Sequence, residues 1–68
     1  MTIKISVNGK RRSAPVSQTI LGLLAELEIE PARVAVELNR RIVKQARWAE
    51  TVLDDGAELE IVHFVGGG

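Results

Sequence analysis

The sequence contains no cysteine and a single histidine, His63. Without thiols there is no disulfide and no cysteine nucleophile, and a zinc site of the thiolate-and-imidazole type is excluded. A charge excess is also missing: nine basic residues balance nine acidic ones, which argues against a nucleic-acid binder. No apolar run approaches the ~20 residues that cross a bilayer, so no membrane association is expected. The opening "MTIKISVNGK" alternates polar and apolar residues and lacks the apolar stretch of a secretory signal. A cytoplasmic, monomeric protein is the expectation. Aromatics are reduced to Trp48 and Phe64. At 68 residues the chain holds one domain at most, and a domain of this size buries only about 60% of its unfolded surface. The core is therefore thin. Repeats, low-complexity segments and internal linkers are absent too.

What is present is periodic. "TIKISV" places Ile3, Ile5 and Val7 on one side and Lys4 and Ser6 on the other, the alternation of a half-buried strand. Asn8-Gly9 signals a tight hairpin, because both residues tolerate positive φ. "KRRSAPV" returns as a polar strand that Pro15 confines to an edge or to the strand's end. Ser17 or Thr19 can cap the next element, where Ile20, Leu23, Leu24 and Leu27 form a helical stripe. Gly22 weakens that helix by about 1 kcal/mol relative to Ala, and Pro31 is expected to mark the loop ending it. "RVAVELN" alternates again with Val34, Val36 and Leu38 inward; a polar turn at Asn39, Arg40 and Arg41 and a very short strand at Ile42-Val43 follow. "ARWAET" suits a single turn that plugs Trp48 into the base of the core. Asp55-Gly56 is a second turn signal, and "AELEIVHFV" closes the domain with a strand beginning near Glu58.

The order strand, strand, helix, strand, short strand, strand predicts an α+β fold with one main helix on one face of a mixed sheet. The helix supplies the long crossover that lets the first and last strands lie parallel. That is the plan of a ubiquitin-like β-grasp domain, here over residues 1–65, with residues 66–68 as a flexible glycine tail. With Leu59 and Ile61 inward, Glu58, Glu60, Val62 and Phe64 point to the uncovered face, joined by Lys4, Ser6, Ala35 and Glu37. Three readings of Val62 and Phe64 fit: Phe64 folded over the sheet edge, exposed apolar residues that are simply ordinary surface, or a partner-docking patch with Phe64 as anchor. His63 has no catalytic partner at a recognisable spacing and reads as a structural or semi-exposed residue. The basic groups Arg40, Arg41, Lys44 and Arg47, and Lys10 to Arg12, read as solvated surface or as steering for an acidic partner. Asp54 and Asp55 read as turn chemistry. No catalytic constellation and no metal site assembles, so the chain is not expected to be an enzyme by itself.

The ending "HFVGGG" leaves a choice between frayed residues and a working tail. Gly66, Gly67 and Gly68 lack Cβ atoms and can enter a slot that any side chain would block. Extended, they reach about 10 Å. A carboxylate is a poor electrophile, but an acyl adenylate has a good leaving group that a sulfur nucleophile can displace, giving a thiocarboxylate. The hairpin "VNG", the helix "QTILGLLAEL", "VAVELNRRIV", "RWAET" and "DDGAELEIVHFVGGG" together resemble the ThiS family, the ubiquitin-like sulfur carriers of thiamin biosynthesis, over the whole chain. The resemblance implies that an E1-like enzyme uses ATP to adenylate Gly68, with no cofactor bound by this chain. Sulfur from a source such as a cysteine desulfurase relay then gives the thiocarboxylate that a thiazole synthase consumes. Gly67 would be the residue fitted to the slot, and Val62 and Phe64 would contact the activating enzyme. The alternatives are the small subunit of molybdopterin synthase, a relative in tRNA thiolation or protein modification, and a β-grasp interaction module that transfers nothing.

Overall fold

A computed structural model describes residues 1–64. Five strands and one helix follow in the order β1 (Thr2–Val7), β2 (Lys10–Pro15), α1 (Ile20–Glu26), β3 (Val34–Leu38), β4 (Arg41–Val43) and β5 (Glu58–His63). The strands form one mixed sheet in the order β2-β1-β5-β3-β4. β5 lies at its centre, parallel to β1 and antiparallel to β3. This is the β-grasp arrangement that the element order predicts, with α1 crossing one face.

Each element has a local cause. Asn8 and Gly9, at φ of 51° and 83°, form the two-residue turn between β1 and β2. Asn39 and Arg40, at 51° and 70°, make the equivalent turn between β3 and β4, so Arg41 is the first residue of β4 rather than part of the turn. Pro15 sits at the end of edge strand β2, where its missing N–H breaks no ladder. Thr19, not Ser17, caps α1: its Oγ1 accepts the Gly22 N–H at 3.0 Å. The carbonyls of Thr51 and Trp48 take the N–H groups of Ile20 and Leu21, so the helix start is satisfied by the segment between β4 and β5. Gly22 is explained by crowding, since a Cβ there would lie 2.9 Å from the Gln18 side-chain oxygen and 3.2 Å from the capping Oγ1.

The end of α1 differs from the expectation. The helix stops before Leu27 through a Schellman motif, not at the Pro31 loop: Glu28 N–H donates to Ala25 O and Ile29 N–H to Leu24 O. Glu28 takes the left-handed conformation at φ 59°, a position that favours glycine. Pro31 instead opens a short 3-10 turn over Pro31–Arg33 that leads into β3.

The core joins Ile5 and Ala14 of the hairpin, Ile20, Leu23 and Leu24 of the helix, Val34 and Val36, and Leu59 and Ile61. Trp48 closes it as expected: it follows the 3-10 turn Gln45–Arg47, is 2% exposed, and donates its indole N–H to Val43 O at 2.8 Å. A buried indole needs such an acceptor.

Candidate docking face and tail base

Helix α1 covers one side of the sheet, and the candidate docking face is the other. On β5 the inward residues Leu59 and Ile61 are buried, whereas Glu58, Glu60 and Val62 alternate outward. Val62 stands opposite Ala35 of β3 and is 55% exposed. Phe64 follows the strand on the same side, 61% exposed, with its backbone N–H held by Arg33 O at 2.9 Å. Phe64 does not fold over the edge into full cover, and its 61% exposure fits an ordinary surface residue and a docking anchor alike.

The face is larger than the alternation of β5 indicates. Ile42 of β4 is 77% exposed and pairs with Glu37, whose other neighbour across the sheet is Glu60. Ile42 therefore shares the open face with Val62 and Phe64, and sequence reasoning missed it. The available signal was the Asn39-Arg40 turn, because a two-residue hairpin puts Ile42 opposite Glu37. Between the apolar groups, Glu37 and Glu60 face each other as like charges across the strands, an arrangement that costs stability. Neither is in an ion pair among the described residues.

The other sequence candidates adjoin this face or are explained by folding. His63 lies on the helix side of the sheet opposite Val34, exposed at the end of β5. Asp55 is turn chemistry: its Oδ1 accepts the Lys4 N–H at 2.8 Å, and Gly56 N–H donates to Lys4 O at 2.7 Å. Arg12 pairs with Glu26 at 3.0 Å and Arg47 with Glu50 at 2.8 Å. Arg41, Lys44 and Arg47 line a shallow cleft with Leu38, Ile42 and Val43, so only part of the first basic cluster converges. Among the described residues no group of His, Asp and Glu could hold a metal ion, and no helix is long and apolar enough to cross a membrane. Val65, Gly66, Gly67 and Gly68 lie outside the described residues, and with them the site expected at Gly68.

Comparison with known proteins identifies this architecture. Residues 5–68 match the ThiS family. A thiazole synthase of Paramagnetospirillum magneticum is 42% identical over 66 residues, 97% of this chain; the chain spans only 20% of that protein's length. The sulfur carrier protein ThiS of Bacillus subtilis is 48% identical over 50 residues, 74% of this chain and 76% of its own. A crystal structure of the thiamine biosynthesis protein ThiS from Geobacter metallireducens superimposes with a TM-score of 0.83 at 30% identity, covering 97% of this chain and 100% of that one. The shared fold, the family match and the Bacillus carrier agree, and the chain belongs to the ThiS family of sulfur carrier proteins.

Proposed function

We propose that this chain is the sulfur carrier for thiazole formation in thiamin biosynthesis, a protein cosubstrate rather than a catalyst. An E1-like partner joins the Gly68 carboxylate to ATP, releasing pyrophosphate and leaving an acyl adenylate. Hydrosulfide attacks the acyl carbon, set free when a thiol reduces the persulfide of a donor such as a cysteine desulfurase relay and itself ends in a disulfide. The new C–S bond replaces the C–O bond to AMP, which leaves, and the product is a thiocarboxylate. A thiazole synthase takes the sulfur. Gly66 and Gly67 supply a tail without side chains for the partner's slot. ATP is bound by the partner and not by this chain, and the cytoplasm is the compartment of the reaction.

One observation carries the reading: the central strand of the sheet bears exposed Val62 and is followed by exposed Phe64, directly ahead of "VGGG" in the sequence. An apolar patch beside the tail lets a partner grip the domain and receive the tail in a single encounter. Glu37, Glu58 and Glu60 line a cleft with Arg40, a net negative surface beside that patch that suits a partner with basic residues opposite. A thiazole synthase containing a segment 42% identical to this chain supports such an enzyme as the recipient of the sulfur. The test is intact-mass analysis after incubation with ATP, the activating enzyme and a sulfur donor. The expected result is the mass gain of one oxygen exchanged for sulfur, lost when Gly67 and Gly68 are deleted while the fold is retained. Absence of that gain in the intact chain refutes the reading.

A further inference from the structure

We propose that Asn8 is a positioning residue for the tail: its side-chain amide fixes the last part of β5 and so sets the direction in which the chain leaves the sheet at Phe64. This rests on the carrier reading and deepens it. The parallel ladder between β1 and β5 is short, pairing Ser6 with Glu58 and Val7 with Leu59. Its last backbone bond runs from Asn8 N–H to Leu59 O at 2.9 Å. There the backbone swings into the hairpin at φ 51°, and the side chain takes over. Asn8 Oδ1 accepts the Ile61 N–H at 2.7 Å, and Nδ2 donates to Ile61 O at 3.2 Å. One carboxamide stands where the next peptide group of β1 would be. Beyond Leu59, β5 has β3 on one flank, with Phe64 N–H on Arg33 O, and the Asn8 amide on the other.

The fold contains its own control. Asn39 has the same φ of 51°, and its Oδ1 accepts the Glu58 N–H at 3.0 Å while its N–H donates to Glu58 O at 2.7 Å. It clamps the entry of β5, whereas Asn8 clamps the exit toward the tail.

The test compares Asn8→Gly with Asn39→Gly. Glycine adopts positive φ without strain, so each variant keeps its turn and loses only the side-chain amide. In Asn8→Gly, backbone hydrogen exchange at Ile61 to Phe64 should accelerate about tenfold; in Asn39→Gly it should stay at the wild-type rate. With ATP and the activating enzyme, Asn8→Gly should lower kcat for adenylation about tenfold and change KM for the carrier less than about threefold, because a displaced carboxylate is felt in the chemical step. Asn39→Gly should retain the wild-type kcat. Should Asn8→Gly unfold, Asn8→Asp keeps the acceptor for Ile61 N–H, loses the donor, and should show an intermediate exchange rate. Unchanged exchange in the Asn8 variants overturns the proposal whether or not the wild type forms a thiocarboxylate. Equal kcat losses in Asn8→Gly and Asn39→Gly also overturn it, reducing Asn8 to a stability contact. A wild type that forms no thiocarboxylate counts against the carrier reading instead, and the exchange rates still judge Asn8.

Discussion

Truncation of Phe64 to Ala separates docking from folding. The residue is 61% exposed, so roughly two fifths of it is covered in the free protein. Full burial of a Phe side chain contributes about 1.5–3 kcal/mol, and two fifths of that is about 0.6–1.2 kcal/mol. For a domain of this length about 1 kcal/mol corresponds to a shift of ~4–8 °C in Tm. The bond from Phe64 N–H to Arg33 O involves only backbone and survives the substitution. At an interface the same ring would be desolvated on its remaining sides, and an aromatic anchor costs about 2 kcal/mol or more when truncated. That is about 30-fold in affinity. Phe64→Ala is therefore expected to lower Tm by a few degrees while raising KM for the carrier about 30-fold in pyrophosphate release by the activating enzyme. Thermal unfolding by circular dichroism and initial rates against carrier concentration measure the two quantities. A Tm loss above about 15 °C would place the ring in the core, and a KM change below about threefold would show that it anchors nothing.

Trp48→Ala removes the plug of the core and the 2.8 Å donor to Val43 O. The expected loss is about 3–5 kcal/mol, comparable with the total stability of so small a core, so far-UV circular dichroism at room temperature should show an unfolded chain. A folded variant would mean that the sheet and helix close without the indole. Glu28→Gly acts the other way. The left-handed position at φ 59° penalises a side chain by about 1–2 kcal/mol, against ~0.5–1 kcal/mol for the greater entropy of unfolded glycine. A net gain of about 0.5–1 kcal/mol should appear as a higher urea midpoint at unchanged m; a lower midpoint would reveal a stabilising role for the carboxylate.

The expected strands and the Asn8-Gly9 turn are found where the periodicity and turn residues put them, because each depends on neighbours a few positions away, while the turn at Asn39 is one residue shorter since Arg41 begins β4. The end of α1 is equally local yet was unmarked: the Schellman motif uses Glu28, a residue with no preference for positive φ, and the nearest visible breaker was Pro31. On the site, the outward alternation of β5 was sufficient to find Val62 and Phe64. It could not find Ile42, whose side of the sheet depends on β4 pairing back onto β3. The chemistry proposed at Gly68 rests on the glycine tail and the family, and the folded part contributes the exposed patch of Val62 and Phe64.

Side-chain period and backbone preference within short windows suffice for the alternating strands, the helical stripe, both asparagine turns and the uncovered face. The strand order, the union of Ile42 with Val62 and Phe64, and the bond of Asn8 to Ile61, 53 positions away, come only from the packing of distant segments. The reason is physical: a carboxamide has the same local chemistry in any turn. It becomes a substitute peptide group only when packing of the core brings an unpaired stretch of β5 alongside.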